Sequence, residues 1–422
     1  MSYFHYSNGQ LCAEGVPLGD ITKDVDTPVY VYSASALADN YHGFSRACEP
    51  MDALIAYSVK ANSNLAVLTL LASCGAGADV VSGGELERAL RAGIAPQKIV
   101  FSGVGKSRDE MHKALKVGIY QFNIESAPEL IALNDVACAL NTRAAIALRI
   151  NPDVSAGGHE KISTGKAENK FGVNLDQARG VYKQARELPG IEVIGVDMHI
   201  GSQIDSLAPF ETALLKGLDL VRELRRDGHD IRTFDMGGGL GIVYNQDEDT
   251  LPTVTDYMDM VRRHTAGLGL KMIFEPGRAI AGNAGVLLSR VQYVKHGSAR
   301  NFLILDAAMN DLLRPALYGA YHAIQPVKEP MSDQTEIYDI VGPVCETGDT
   351  FATHRRLSVM QSDDLVAMLS AGAYGAVQAG QYNTRPLVPE VLVKDSQFSV
   401  IRMRPDLEDI LRLESVPGWF GA

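Results

Sequence analysis

A single lysine closes an apolar, strand-like run in Ala56-Tyr57-Ser58-Val59-Lys60-Ala61-Asn62. Burial disfavours an ammonium and lowers its pKa, and a neutral lysine attacks carbonyls to form a Schiff base. The plainer alternative is a lysine snorkelling from a strand end into water. Gly237-Gly238-Gly239-Leu240-Gly241 follows another apolar run. Its backbone N–H groups are placed to surround a phosphate, unless the run is only a tight turn. No Gly-Lys-Ser/Thr follows, so it is not a Walker loop, and it is not a full G-x-G-x-x-G either. Arg278 offers a charge-assisted bond to the same phosphate or to a carboxylate, or else a surface ion pair. Glu275 ends a further apolar strand, and a buried carboxylate needs a cationic or hydrogen-bonded partner, which a protonated ring nitrogen provides. His199, in Asp197-Met198-His199-Ile200-Gly201-Ser202, is either structural or a ring able to stack on a flat cofactor. A strand-end lysine, a phosphate cradle, an acid for a ring nitrogen and a histidine for its face are the contacts pyridoxal phosphate requires.

Those residues need a scaffold that brings strand ends together. From about residue 53 to 275, short apolar runs alternate with helical patterns. The runs are Ala53–Tyr57, Ala78–Val81, Lys98–Phe101, Ile119–Asn123, Ala144–Ile150, Val193–Ile200, Thr233–Met236 and Lys271–Phe274. Between them, apolar residues recur at three- and four-residue spacing, as in Leu214, Leu218, Val221 and Leu224. Such alternation implies a parallel sheet, and eight units imply a closed (β/α)8 barrel with its chemistry at the strand C-termini. An open doubly wound sheet is the runner-up, but it places its glycine fingerprint after the first strand rather than the seventh. The barrel's strand ends carry Lys60; Asp79 with Ser82-Gly83-Gly84-Glu85; Ser102; Asn123 with Glu125; Arg149 with Asn151; His199 with Ser202; the glycine run; and Glu275 with Arg278.

After about residue 285 the pattern changes to alternating strands at Val286–Val294, Phe302–Asp306, Thr335–Val341, Leu365–Leu369 and Gln397–Met403. The expected organisation is a barrel over 26–280 and a mostly β domain formed by 1–25 and 281–422. Thr27 to Tyr32 reads as a strand, and Ser33 as the cap of a helix running through Leu37 and Tyr41.

Composition narrows the function classes. A hydrophobic share of 46% and a charged share of 21% describe an ordinary globular chain. A net charge of −12 argues against a nucleic-acid binder. No apolar run is long enough to span a bilayer, and the first residues lack the pattern of a secretory signal, which predicts a cytoplasmic protein without a membrane partner. The five cysteines are scattered without a CxxC pair, so neither a disulfide framework nor a metal site is expected.

Ten stretches, in order, resemble the fold type III pyridoxal-phosphate decarboxylases. They are Tyr57-Ser-Val-Lys60-Ala-Asn62, Ser82-Gly-Gly-Glu85-Leu86, Lys161-Ile-Ser-Thr-Gly165, Asn169-Lys-Phe-Gly172, His199-Ile-Gly-Ser202, Gly237-Gly-Gly239, Glu275-Pro-Gly-Arg278, Arg314-Pro-Ala-Leu-Tyr318, Cys345-Glu-Thr-Gly-Asp349 and Gly372-Ala-Tyr374-Gly. The resemblance covers nearly the whole chain and implies a (β/α)8 barrel plus a β domain that completes the active site and dimer interface. It implies that Lys60 carries the cofactor. Asp79, Ser202, Gly238, Gly239, Gly277 and Arg278 fall among the cofactor contacts, His199 lies against the ring, and Glu275 keeps the ring nitrogen protonated. Racemases of the same fold type place an arginine there, so glutamate favours decarboxylation. The resemblance further implies that Tyr374 touches cofactor and substrate, and that Cys345 donates a proton from the partner subunit of a homodimer. Arg278, Arg314 and Tyr318 are then the expected ligands for a distal carboxylate, and Glu346 for an ammonium. Relatives acting on ornithine or other basic amino acids carry Cys-Asp at Cys345-Glu346 and lack the Arg-Pro-Ala-Leu-Tyr run. The expected reaction is therefore decarboxylation of meso-diaminopimelate to lysine. The alternatives are another diamino acid or carboxylated polyamine, an inactive regulatory homologue, and a cofactor carrier, which would not need residues 285–422.

Overall fold

A computed structural model describes residues 3–155, 170–245 and 250–420. The chain divides into two compact units, Leu37–Gly282 on one side and Met1–Ala36 with Asn283–Ala422 on the other.

The Leu37–Gly282 unit is a closed parallel barrel. Its strands are β1 (Ala53–Ser58), β2 (Gly77–Val80), β3 (Ile99–Phe101), β4 (Gln121–Ile124), β5 (Ala144–Asn151), β6 (Ile191–Asp197), β7 (Thr233–Asp235) and β8 (Lys271–Phe274). Each pairs with the next, and β8 returns to β1 through Met272↔Ala53 and Phe274↔Ile55. All eight expected runs are strands, and the closure excludes the open sheet. The run expected over Val193–Ile200 begins two residues earlier and stops at Asp197, so His199 lies in the loop beyond β6.

Strands buried on both faces must be apolar outside as well as inside. β1 reads ALIAYS, and all but its first residue are buried. Inward positions follow the two-residue period of a strand. Leu54, Ala56, Val100 and Ile273 cluster inside the barrel, and the next inward position along β1 is Ser58. The interior therefore changes from apolar to polar towards the strand C-termini. Helices seal the outside. In Ala208–Arg226, Phe210, Leu214, Leu218, Val221 and Leu224 form the buried face, each stabilising the fold by roughly 1.5–3 kcal/mol. Helix Arg108–Val117 starts on a Ser107/Glu110 capping box and ends on Gly118, whose φ of 71° is the left-handed conformation glycine adopts without strain.

The other unit is mostly β. Its main sheet runs in the order Thr350–Ser358, Thr335–Val341, Asn301–Leu305, Gly285–His296, Val29–Ser33, Glu390–Lys394, Gln397–Arg402. A three-stranded sheet of Phe4–Ser7, Gln10–Ala13 and Val16–Pro17 packs into the same core, where Leu11, Val16, Val31, Leu288 and Val391 meet. Val29–Ser33 pairs antiparallel with Gly285–Leu288 and parallel with Glu390–Val393. It thus sits in this sheet, beyond residue 26 where the barrel segment was expected to begin. Tyr32 Oη donates to Glu390 Oε2 at 2.5 Å, inside the same core. Strand Thr350–Ser358 was not anticipated. Its His354, Arg355 and Arg356 lie on an edge strand that water can reach, so its apolar alternation is weak.

Candidate active site

The strand C-termini of the barrel gather Lys60, Asp79, His199, Ser202, Gly237–Gly239, Glu275, Gly277 and Arg278. Lys60 sits in a single turn, Val59–Ala61, directly after β1. Its Nζ donates to Asp79 Oδ2 at 2.9 Å, and Ser58 Oγ donates to the same oxygen at 2.7 Å. Asp79 is fully buried and its other oxygen, Oδ1, has no hydrogen-bond partner. The lysine side chain is 36% exposed, so an acidic neighbour holds its ammonium. Of the two readings, burial of the ammonium or a lysine reaching towards water, the exposure lies closer to the second, with Asp79 as its partner. Glu85 lies nearby; burial pushes its carboxyl up to about 7, with the charge of Asp79 adding to the effect.

Glu275 follows β8 and is 5% exposed. Ser102 Oγ donates to its Oε1 at 3.2 Å, and Asn123 Nδ2 reaches the same oxygen at 3.3 Å. Asp197 and Asp235 complete a group of three buried carboxyls whose oxygens lie within 4.8 Å of one another. Burial holds Glu275 well above the usual carboxylate range, and the charges of Asp235 and Asp79 raise it further. Asp235 and Asp197 are raised in the same way, by burial first and then by each other's or Glu275's charge. Among the described residues no ion pair reaches Glu275, although the charges of Lys60 and Arg149 act on it, and a protonated ring nitrogen would provide one.

His199 Nδ1 accepts the Gly238 N–H at 3.1 Å, so any proton on the neutral ring is on Nε2. Burial, with the charges of Arg149 and Lys60, holds the imidazole well below its ordinary pKa. The ring is neutral and flat. The glycine run is tighter than its sequence suggests. Gly237 N–H donates to Asp235 Oδ1 at 2.9 Å, and Gly241 N–H to Ile204 O at 3.1 Å. With Gly238 spent on His199, three of the expected phosphate donors are used within the fold and Gly239 retains its N–H. A side chain at Gly238 would strike Glu275 O, and one at Gly237 would meet His199 Nδ1 at 2.8 Å. The turn therefore couples the histidine, the acid and the cradle by close approach. Arg278, buried in the turn after Gly277, donates through Nη2 to Ser202 Oγ at 3.0 Å and through Nη1 to Tyr244 Oη at 2.5 Å. The donor set fits pyridoxal phosphate. It offers an amine, a neutral ring, a buried acid without an ion pair among the described residues, and a cradle with no room for a Cβ.

A buried ion pair supports this face. Arg149 Nη1 meets Glu125 Oε1 at 2.8 Å, with side-chain exposures of 8% and 2%, and Glu125 Oε2 accepts the Gly172 N–H at 2.9 Å. Arg149 Nη2 reaches His199 O at 3.4 Å. Glu125→Ala strands the guanidinium without its carboxylate and is expected to lower stability by about 3–5 kcal/mol, read as a lower urea midpoint. A shift under 1 kcal/mol would mean that water reaches Arg149.

The remaining expected site residues belong to the β unit. Arg314 opens the short helix Arg314–Tyr318, which also carries Tyr318. Its Nη1 lies 2.7 Å from His322 Nε2, while His322 Nδ1 donates to Leu369 O at 2.8 Å, so the ring accepts from the guanidinium. Cys345 and Glu346 are exposed on a loop anchored by Asp349, whose oxygens accept the N–H groups of Val344 at 2.7 Å and Met309 at 2.6 Å. Tyr382 Oη donates to Glu346 Oε1 at 2.9 Å. Tyr374 adopts a φ of 56°, a conformation that non-glycine residues hold at a cost and that concentrates at functional sites. The expected matches Lys161 to Gly165, and Asn169, lie outside the described residues.

Asp235, Gln121 and Thr233 carry part of the site's polar core, and no role was foreseen for any of them. Their signal was present as Gln121-Phe122-Asn123 and Thr233-Phe234-Asp235. Each is a polar–apolar–polar alternation in a strand that had to be buried.

A parallel barrel with a lysine, a buried acid and a close-packed glycine turn at its strand ends is the arrangement a pyridoxal-phosphate enzyme requires. Residues 36–282 match the family model described as "Pyridoxal-dependent decarboxylase, pyridoxal binding domain". The diaminopimelate decarboxylase of Zymomonas mobilis is 49% identical over 419 residues, 99% of each chain. The crystal structure of diaminopimelate decarboxylase from Helicobacter pylori complexed with L-lysine is 41% identical, with a TM-score of 0.90 over 94% of this chain and 98% of that one. The enzyme from M. jannaschii in co-complex with L-lysine is 35% identical, with a TM-score of 0.93 over 99% and 98%. The chain belongs to the diaminopimelate decarboxylase family of pyridoxal-dependent decarboxylases.

Proposed function

We propose that the chain decarboxylates meso-diaminopimelate to L-lysine and CO2, with pyridoxal phosphate held at the strand ends of the barrel. The observation that carries the substrate is identity near one half along the full length of enzymes named for it. When bound, the cofactor supplies an electron sink for the pair left as CO2 departs. The residues supply the rest. Lys60 is the amine that would hold the cofactor's carbonyl, and Asp79 would hold that lysine's ammonium whenever substrate has displaced it. Glu275 holds the ring nitrogen's proton, His199 covers the ring face, and Gly239, Ser202 and Arg278 hold the phosphate end. Arg314, with its guanidinium oriented by His322, and Tyr318 take the distal carboxylate, and Glu346 takes the distal ammonium. Cys345 returns a proton to the carbon that lost CO2, acting in the site of a second copy. Its exposure and that of Glu346, on a loop held rigid by Asp349, support a shared site in a homodimer. Five free thiols suit a reducing compartment, here read as the cytoplasm. No helix among the described residues is long and apolar enough to cross a membrane.

Incubating the holoenzyme with meso-diaminopimelate, ornithine and arginine in parallel, with CO2 measured, tests the substrate. Release from meso-diaminopimelate, at a kcat/KM at least a hundredfold above the other two, is the expected result. That ratio corresponds to about 2.7 kcal/mol of discrimination, within what a site built for a second charged head provides. Release from ornithine alone overturns the reading.

A further inference from the structure

A continuous chain of hydrogen bonds crosses the barrel interior and ends on Glu275. Thr233 Oγ1 donates to Gln121 Oε1 at 2.8 Å, and Gln121 Nε2 donates to Asn123 Oδ1 at 2.7 Å. Asn123 Nδ2 then faces Ser102 Oγ at 3.1 Å, Asp235 Oδ2 at 3.1 Å and Glu275 Oε1 at 3.3 Å. Thr233 is 2% exposed, and Gln121, Asn123 and Asp235 are fully buried, so bulk solvent does not compete for these bonds. Gln121 and Asn123 are two apart on β4, as Thr233 and Asp235 are on β7, so both pairs point into the barrel in successive layers. Gly195 faces Thr233 from β6, and a Cβ there would overlap the threonine hydroxyl. The neighbouring strand, with Gly195 in register with Thr233, thus leaves room for the hydroxyl where the hydrogen-bond chain begins.

The chain has a direction. An amide has a donor end and an acceptor end, and Asn123 sits between a glutamine and two carboxyls. With its oxygen taken by Gln121, its NH2 must face Asp235 and Glu275. In the reverse orientation its NH2 would meet the Gln121 NH2 at hydrogen-bond distance, donor against donor. Which end faces Glu275 is decided one layer below, by whether Gln121 presents a donor. Gln121 does so with its own oxygen accepting from the Thr233 hydroxyl at 2.8 Å, a shorter contact than the 3.4 Å from that hydroxyl to Ile194 O.

We propose that Gln121 and Thr233 are positioning residues for Glu275, fixing the Asn123 amide so that its NH2 is the group presented to that carboxylate. The fixed amide and Ser102 both act on Oε1. Oε2 and the ionised form of the acid are thereby reserved for the ring nitrogen. The same amide binds Asp235, which holds Gly237 N–H, so one orientation serves both the acid and the glycine turn. The inference rests on the reading of Glu275 as the partner of the ring nitrogen.

The test uses the holoenzyme loaded with pyridoxal phosphate labelled with 15N in the ring, whose chemical shift reports protonation of that nitrogen. Four variants are compared with the parent. Glu275→Gln establishes the signal when the acid is lost. Gln121→Met keeps the side-chain length without hydrogen bonds. Thr233→Val removes only the hydroxyl, and Thr233→Ser retains it. The expected result for Gln121→Met is a 15N shift in the direction set by Glu275→Gln. Its kcat falls about tenfold, the worth of one buried hydrogen bond, with KM within about twofold. Thr233→Val moves the signal less, in the same direction, and Thr233→Ser restores it. If Glu275→Gln moves the signal while Gln121→Met and Thr233→Val both keep the parent's signal and kcat, the inference is overturned and the Glu275 reading stands. If Glu275→Gln itself leaves the signal in place, that reading fails and takes the inference with it. Should Gln121→Met not fold, the Thr233→Val and Thr233→Ser pair decides on the same criterion.

Discussion

Lys60→Ala is expected to give a folded protein that shows no visible absorbance when reconstituted with pyridoxal phosphate. Its turnover should be slower by roughly a thousandfold or more, about 4 kcal/mol of barrel-supplied barrier lowering. The Lys60 side chain is 36% exposed while its partner Asp79 is fully buried, so the substitution leaves that carboxyl without the ammonium and should lower stability by about 1–3 kcal/mol. Asp79 keeps the Ser58 hydroxyl after the substitution, so the barrel should stay folded while its covalent attachment point is gone. A Lys60→Ala protein that keeps the visible band would remove Lys60 from its assigned place. The same variant tests the shared site. Mixed with Cys345→Ala chains, it should recover about a quarter of parental activity, because half of randomly paired dimers carry one site with both residues intact. No recovery on mixing would confine Cys345 to a role within its own chain.

The barrel was legible because each β strand had to be apolar on both faces and each helix on one, and those two periods alternate without interruption from Ala53 to Phe274. Its polar strand ends were legible for the same reason: Lys60, Asp79 and Glu275 stand out against the runs they terminate. What could not be read is whatever depends on partners distant in sequence. Val29–Ser33 carries no mark that its neighbours are Gly285–Leu288 and Glu390–Val393, so the start of the barrel segment could not be fixed from composition. The lysine's ion pair could not be read because Asp79, nineteen residues away, closes it across two strands. The glycine run shows how type and use diverge. Its small residues were recognisable, yet Asp235, His199 and Ile204 consume most of the N–H groups it was expected to offer. Gln121 and Thr233 escaped notice because a lone polar residue inside a strand is ordinary until its partner is seen opposite.

Glu275→Gln should reduce kcat by roughly a hundred- to a thousandfold, the scale on which removing one preorganised electrostatic partner acts, with little change in KM. The substitution is nearly isosteric, and its oxygen can still accept from Ser102 and Asn123, as Oε1 does now. Those donors fix the new amide with its NH2 where Oε2 lies, so it offers the ring nitrogen a hydrogen instead of a negative charge. The ring then loses its proton and with it the capacity to draw electrons from the breaking bond. Stability should move the opposite way in the protein without cofactor. Burial and the Asp235 charge raise the folded pKa of Glu275 above its unfolded value of about 4.3. The folded state therefore binds more protons than the unfolded one above that pH, and stability falls as pH rises towards the folded value. Glutamine has no charge to desolvate, so the cofactor-free variant should match or exceed the parent's urea midpoint at neutral pH and lose less of it between pH 5 and pH 7. A site that gains stability while losing turnover is one whose acid is kept for chemistry. A variant with kcat within threefold of the parent would show that the ring nitrogen does not depend on Glu275.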